Sequence, residues 1–236
     1  MANPKKNEFD NFDEFAEDYR DLHDKSIKLS GTNSTFFSEY KIVELTKLED
    51  TDAELNILDF GCGDGESCIY FRKHFKNASI TGIDISEESI NKAKEKNLVK
   101  ASFSAFDGFN IDNSDESFDV VFTSMVFHHI DHKLHQRILK EIHRVLKTNG
   151  RFYIFEHNPL NPLTRKVVRE CVFDEDAVLL NSKYAKNSIN DAGFKSAKTK
   201  FTIFIPRHKF LKWLVPIERF LTKIPFGAQY FIRTIK

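Results

Sequence analysis

The sequence has 236 residues, with 41% hydrophobic and 30% charged side chains, a composition of a folded globular chain that excludes disorder. Its 35 basic and 35 acidic residues cancel, which removes the strong basic excess expected of a general nucleic-acid binder. Three cysteines (Cys62, Cys68, Cys171) form no CxxC or zinc spacing, the N-terminus has no apolar run, and no stretch nears the ~18 apolar residues of a membrane span, so a cytoplasmic protein is expected.

The neutral total hides opposed ends. Residues 1–24 hold eight acids and three bases, a net of −5, whereas residues 201–236 hold seven bases and one acid, a net of +6. The 24 phenylalanines, against one tryptophan and six tyrosines, predict a strongly aromatic core.

In chain order, Phe12, Phe15, Ala16 and Tyr19 recur at helical spacing, and a second helical segment spans Phe36–Leu48. Residues 1–50 therefore read as an N-terminal helical lid, and 51–236 as the core. Asn56–Phe60 is a short apolar strand that runs into Gly61-Cys62-Gly63-Asp64-Gly65. A helix follows over 66–75, then a strand over Ser79–Asp84, then a helix capped by Ser86 with Glu87 and Glu88 in its first turn. Residues 100–104 and 118–123 read as strands, the second apolar throughout as a strand covered on both faces should be. Residues 133–147 place Leu134, Ile138, Ile142, Val145 and Leu146 on one helical face, and Gly150 reads as the stop before a strand over 151–156. Helices near 163–171 and 182–192, a strand from 194 through Ile203 and a last strand over 229–235 complete the chain. Strands alternating with helices predict an α/β fold: a Rossmann-like, mostly parallel seven-stranded sheet with helices on both faces, the last strand antiparallel.

Ligands of such sheets bind beyond the carboxyl ends of the strands, which directs attention to the first strand–loop–helix junction. Gly61, Gly63 and Gly65 let the backbone turn tightly and approach a ligand. Asp84 ends the second strand 19 residues after Gly65, where a carboxylate can take the hydroxyls of a ribose. The position of a dinucleotide fingerprint's third glycine is occupied by Glu66, whose charge would repel a pyrophosphate, and no Gly-Lys-Ser/Thr phosphate loop occurs.

Leu58-Asp59-Phe60-Gly61-Cys62-Gly63-Asp64-Gly65, Gly82-Ile83-Asp84-Ile85-Ser86, Phe118-Asp119-Val120-Val121, Val126-Phe127-His128-His129-Ile130 and Arg144-Val145-Leu146-Lys147 with Gly150 together resemble the class I S-adenosylmethionine-dependent methyltransferases of type 11/12. That resemblance spans roughly residues 10–160. It implies S-adenosylmethionine as cofactor and S-adenosylhomocysteine as product. It also implies that Asp59 and the loop of Gly61, Cys62, Gly63 and Gly65 hold the amino-acid part, Asp84 the ribose and Ile85 the adenine face. By the same resemblance Phe106-Asp107 meets the adenine amino group, Ser124 and Met125 lie near the methionine portion, and Tyr19 closes over the cofactor.

Methyl transfer is an in-line displacement that depends on alignment and exclusion of water, and it needs a base only if the acceptor must lose a proton. Three histidines stand where such a base belongs: His128 and His129 after the fourth strand, and His157 after the fifth. His132, His135 and His143 lie on the following helix, and no acid or cysteine completes a metal spacing with them, so no metal is expected.

Glu156-His157-Asn158-Pro159-Leu160-Asn161-Pro162-Leu163-Thr164-Arg165 resembles a subgroup of bacterial methyltransferases associated with surface-polysaccharide and sugar modification. Residues 206–227 mix Phe210, Leu211, Trp213, Leu214, Phe220 and Leu221 with Arg207, Lys209, Lys212, Arg219 and Lys223. Such a segment can pack back on the sheet, which is the favoured expectation, or lie on an anionic membrane or cover a lipid-like acceptor. The sequence thus predicts methyl transfer, with O-methylation favoured, to a small-molecule acceptor such as a saccharide or lipid-linked intermediate, with no nucleic-acid partner. Two alternatives stand: a non-catalytic partner-binding subunit of the same fold, and a methyltransferase of macromolecules. The oligomeric state is left open.

Overall fold

The computed structural model describes Thr32 and residues 34–171 and 177–236. The lid segment before Thr32, including Tyr19, lies outside the described residues. Helix α1 (Ser34–Thr46) precedes strand β1 (Asn56–Phe60), then α2 (Glu66–His74), β2 (Ser79–Asp84), α3 (Glu87–Glu95), β3 (Ala101–Ala105) and β4 (Phe118–Ser124). A 3-10 turn (Phe127–His129) leads to α4 (His132–Val145), β5 (Leu146–His157), α5 (Pro162–Glu170), α6 (Ser182–Asp191) and β6 (Lys195–Thr202). A 3-10 helix over Lys209–Ile217 and the short α7 (Glu218–Leu221) carry the chain to β7 (Gln229–Ile235).

The strands form one seven-stranded sheet in the order β3-β2-β1-β4-β5-β7-β6. Pairs through β5 are parallel, and β7 runs antiparallel between β5 and β6, which is the expected α/β architecture. The order reverses at β1 and β4, so the carboxyl ends of these two strands open the crevice where this sheet type binds ligands.

Two apolar layers hold the sheet. One packs α4 and α6 on Leu58, Phe60, Val121, Phe152 and Ile154. The other packs α1 and α2 on Ile57, Val120, Phe122, Tyr153 and Phe155. Phe60, Phe71, Phe75, Phe122, Phe127, Phe152 and Phe155 are among the largest fully buried side chains, so much of the phenylalanine excess fills the core. At about 25 cal/mol per Å2 each such ring contributes on the order of 2–3 kcal/mol relative to exposure.

Two elements depart from expectation. The helix predicted to 147 ends at Val145, and β5 starts at Leu146, which pairs with Phe118. Lys147–Gly150 then bulge between that pair and Val120–Arg151, with Asn149 at φ 64° and Lys147 Nζ donating to Asp119 at 2.8 Å. Gly150 therefore serves a strand irregularity, because a Cβ there would lie 2.7 Å from the Lys147 carbonyl.

The second departure is the 206–227 insertion, which does not bury its aromatics against the sheet. Phe210, Trp213 and Phe220 are 71%, 74% and 71% exposed.

Candidate active site

The loop after β1 is shaped by contacts that only glycine allows. Gly61 (φ 74°) and Cys62 donate their N–H groups to the Ile83 carbonyl at 2.8 and 3.0 Å, which pulls the loop onto β2. A Cβ on Gly61 would stand 2.4 Å from Val126 Cγ2. Gly63 (φ 52°) differs, since a Cβ there meets nothing within 4 Å. It faces open space, as a ligand cradle requires. Its N–H donates to Asp84 Oδ2 at 2.8 Å, and Ser86 N–H donates to Oδ1 at 3.0 Å. Asp84 is thus oriented by two backbone donors at the end of β2. Gly65 begins α2 in the left-handed region. The buried Cys62 thiol lies 3.5 Å from the Gly63 carbonyl, and burial pushes its pKa well up, so it is a neutral packing group.

Strand register brings three more residues to one face. Asp59 pairs with Phe122 and Phe122 with Tyr153. Ser124 and His157 follow at even spacing and so share that face, the one α1 covers. Asp59 is 1% exposed and accepts from the Cys68 thiol at 3.3 Å. Burial pushes its carboxyl up to about 7, with Cys68 opposing and Asp84 adding. Lys41, buried on α1, donates from Nζ to Ser124 Oγ at 2.6 Å. Burial lowers its ammonium to about 8 against the pull of Glu156 and Asp59. Met125, next in the chain, has φ 59°, a strained conformation for a side chain of that size, fixed by its N–H donating to the Phe155 carbonyl at 2.9 Å.

On the β2–β3 side, Ile85 is half-buried and Phe106 packs edge-on against Phe60 with centroids 5.3 Å apart. Asp107 is committed locally. It accepts from Phe109 and Asn110 N–H groups at 2.8 and 2.7 Å and from Asn110 Nδ2, contacts that hold its carboxyl below the usual range.

The histidines divide into two sets. Glu156, fully buried, accepts from Phe127 N–H at 3.0 Å through Oε1 and meets His128 Nδ1 at 2.5 Å through Oε2. The His128 ring lies 4.2 Å from that of His129 and 5.5 Å from that of His157. Burial pushes the Glu156 carboxyl up, but His128, His157 and His129 outweigh it and hold the group below its ordinary value. The side chain of His128 is 1% exposed, whereas His129 and His157 are half-buried and reach the rim. His135 belongs to the other set. Its Nε2 lies 3.0 Å from both the Phe127 and Ile130 carbonyls, and its Nδ1 meets Tyr184 OH at 3.1 Å. Burial lowers its pKa, so it is a neutral core histidine. His132 stacks on Tyr184 and His143 edges Phe194. Among the described residues no group of three His, Cys, Asp or Glu side chains is placed to hold a metal ion.

Three residues at this site were not singled out by sequence. Lys41 sits at i+4 between Phe37 and Leu45, a cation where an apolar residue would continue the buried stripe. Glu156 ends an otherwise apolar run (Phe152–Phe155), which is the signal that it is buried for a reason. Gln229 pairs with His157 across β5 and β7, and its buried Oε1 has no hydrogen-bond partner among the described residues. Nothing in the local sequence marks it.

Residues 57–150 match the methyltransferase-domain family. Residues 57–150 therefore carry a methyltransferase domain, and the whole chain has the fold of S-adenosylmethionine-dependent methyltransferases. The fold of this methyltransferase domain is shared with a methyltransferase from Archaeoglobus fulgidus, at 18% identity and a TM-score of 0.67 over 96% of this chain and all of that one. It is also shared with Haemonchus contortus phosphoethanolamine N-methyltransferase 2 bound to S-adenosylmethionine, at 18% identity and a TM-score of 0.65 over 95% of this chain and 60% of that one. In sequence, demethylmenaquinone methyltransferase of Thermotoga maritima is 31% identical over 157 residues, 66% of this chain and 64% of that protein. The chain spans from about two fifths to just under two thirds of the curated relatives it matches. The donor set of this chain fits S-adenosylmethionine, which the Haemonchus contortus protein of this fold binds. A buried carboxylate (Asp59) suits an ammonium, an oriented carboxylate (Asp84) suits a diol, and the open space over Gly63 admits a ligand close to the backbone.

Proposed function

We propose that this chain transfers a methyl group to a hydroxyl of a small-molecule acceptor, a saccharide or a lipid-linked intermediate, and that His157 takes the proton the hydroxyl loses. S-adenosylmethionine supplies an electrophilic methyl group on a sulfonium. In this reading Asp59 with Gly61, Cys62, Gly63 and Gly65 hold the amino-acid part. Asp84 takes the ribose, and Ile85, Phe106 and Asp107 border the adenine. Ser124 and Met125 lie along the methionine portion. Residues 1–50, with Tyr19, act as the lid over a core of 51–236.

The observation that carries the proposal is the ring of three imidazoles around one buried carboxylate, Glu156. A fixed negative charge in a low-dielectric site favours the imidazolium that forms when a proton is taken up. His128 is shielded and hydrogen-bonded to Glu156, which makes it the positioning residue that holds the 3-10 turn. His157 is half-buried on the face shared by Asp59 and Ser124, where a hydroxyl can reach it. The small-molecule acceptor is supported by the relative named for demethylmenaquinone.

The test has two parts. Isothermal titration should show binding of S-adenosylmethionine that weakens several-fold or more in Asp84→Ala; no binding at millimolar cofactor would end the proposal. A metabolite extract with labelled donor then identifies the product by mass. With that acceptor His157→Asn should lower kcat at least about a hundredfold with cofactor affinity kept. Full activity in His157→Asn, with loss in His129→Asn, would assign the proton to His129 and overturn the role of His157.

A further inference from the structure

The 206–227 insertion leaves the sheet after β6 and returns at the start of β7, on the rim where β5 ends in His157. Its return is tied to that rim. Asn158 Nδ2 donates to the Pro225 and Gly227 carbonyls at 3.1 and 2.7 Å, and Thr164 Oγ1 donates to the Ala228 carbonyl at 2.9 Å. At its base Glu218 accepts from Phe204 and Ile205 N–H groups, both at 2.8 Å, and pairs with Arg207 at 2.8 Å. The Arg207 guanidinium lies over the Phe36 and Tyr40 rings of α1, 5.7 and 5.9 Å from their centroids. The insertion is thus fixed at both ends, its return to the rim beside His157 and its base to α1.

Between those anchors its surface has one character. Phe210, Trp213, Phe220 and Phe226 are 71%, 74%, 71% and 60% exposed, and Lys209, Lys212, Arg219 and Lys223 are exposed among them. The single acid of the segment, Glu218, is used up internally by Arg207 and two backbone donors. A monomer rarely leaves rings of this size in water without a partner. Aromatic side chains interleaved with unneutralised cations match the interface of an anionic bilayer, where rings enter the headgroup region and ammonium groups meet lipid phosphates. Among the described residues no helix is long and apolar enough to cross a membrane, so the contact would be with its surface.

We propose that this insertion seats the protein on an anionic membrane surface and so holds the His157 rim against the bilayer. The charge match favours this occupant over a second copy, whose identical patch would bring like charges together. The membrane contact stands independently of the methyl-transfer reading, because vesicle binding is read without cofactor or acceptor.

Trp213 is the only tryptophan of the chain and lies inside the patch, so it reports directly. The full-length protein is titrated with phosphatidylcholine vesicles and with vesicles that also carry phosphatidylglycerol, following tryptophan emission and co-sedimentation. The expected result is a blue shift and sedimentation with the anionic vesicles only, reversed by high salt. Lys209→Glu with Lys212→Glu should weaken binding about tenfold or more. Phe210→Ser with Phe220→Ser should abolish it, with Trp213 emission still available as the probe and S-adenosylmethionine affinity unchanged. No blue shift with anionic vesicles, or equal binding by the charge-reversed variant, would overturn the proposal. So would a dimer in solution that the Phe210→Ser, Phe220→Ser variant dissociates, which would give the patch to a second copy.

Discussion

Lys41 Nζ on α1 donates to Ser124 Oγ at the end of β4 at 2.6 Å, a link across 83 residues of chain. It joins the helix before the sheet to the floor of the crevice. It also brings a buried ammonium within electrostatic reach of two buried carboxylates, Glu156 and Asp59, both of which raise its pKa against the larger effect of burial. α1 is therefore part of the electrostatics of the site.

Replacing that cation by an apolar chain of similar length tests the link. Lys41→Met removes a desolvated charge together with its partner's donor, so the net stability change should be small, about 1 kcal/mol for the lost bond to Ser124. The chemical effect should be larger. Asp59 loses the cation that lowers its pKa, so the pH at which cofactor affinity reaches half its maximum should move up. Titrations of S-adenosylmethionine against the parent and Lys41→Met between about pH 6 and pH 9 read the shift. Superimposable profiles would mean that Lys41 does not act on Asp59.

Asp59 itself predicts a proton linkage. Its carboxyl is pushed to about 7 in the fold, from 3.8 in a free side chain, by burial above all. If it receives an ammonium it must ionise. Affinity should then tighten as pH rises toward 7, by about tenfold per unit below that value, and level off above it. Binding at pH 6 should release a proton, seen as a heat that changes with the ionisation enthalpy of the buffer. The unliganded fold shows the opposite trend. Between roughly pH 4 and pH 7 the folded state keeps a proton that the unfolded chain has lost, so the Asp59 contribution to stability falls as pH rises through that window. A flat affinity profile with no buffer-dependent heat would remove Asp59 from the ammonium site.

Gly61 and Gly63 should fail in different ways. Both sit at positive φ, which costs an alanine about 1 kcal/mol. At Gly61 the added methyl also lies 2.4 Å from Val126 Cγ2, so Gly61→Ala should lose clearly more stability, with partial rescue by Val126→Ala. At Gly63 no atom stands within 4 Å of the new methyl. Gly63→Ala should fold nearly as well as the parent and yet bind cofactor at least several-fold more weakly, because the methyl occupies the space of the ligand. Thermal unfolding and titration calorimetry on the three variants separate the two effects. Unchanged affinity in Gly63→Ala would show that no ligand approaches that backbone.

Much of this fold was legible because several strands, β1, β2 and β4 among them, are short runs rich in apolar residues. Ser79–Asp84 and Gln229–Ile235 fall where the pattern puts them. The start of β5 was hidden because Leu146 and Lys147 continue the helical stripe of α4, and only pairing with Phe118 turns them into strand. At the site, the glycines and Asp84 announce themselves by local spacing. Lys41 and Gln229 do not, since one depends on how α1 lies across β4 and the other on register between β5 and β7. The insertion misled for a related reason. Aromatic content predicts burial in general, but here the buried anchors are polar (Glu218, Arg207, Asn158) and the rings point outward.

Glu156 offers the sharpest test of the imidazole cluster. Its two oxygens serve different partners, Phe127 N–H and His128 Nδ1, and the three histidines hold it ionised despite complete burial. Glu156→Gln keeps an acceptor for one partner and turns an amide N–H₂ toward the other. The variant should lose on the order of 2–3 kcal/mol of stability, as expected for a charge-assisted bond in the interior. A depressed folded pKa means that Glu156 stabilises the parent above its ordinary value of 4.5 and that this contribution disappears as pH falls. Acid should therefore narrow the difference in melting temperature between parent and variant. In catalysis the lost charge lowers the proton affinity of the neighbouring imidazole. The acid limb of the kcat profile should move to lower pH while its plateau drops at least about tenfold. Cofactor affinity should stay within about twofold, because Asp84 and the glycine loop are untouched. A variant that is less stable but has an unmoved acid limb would leave Glu156 as a clamp for the 3-10 turn and nothing more.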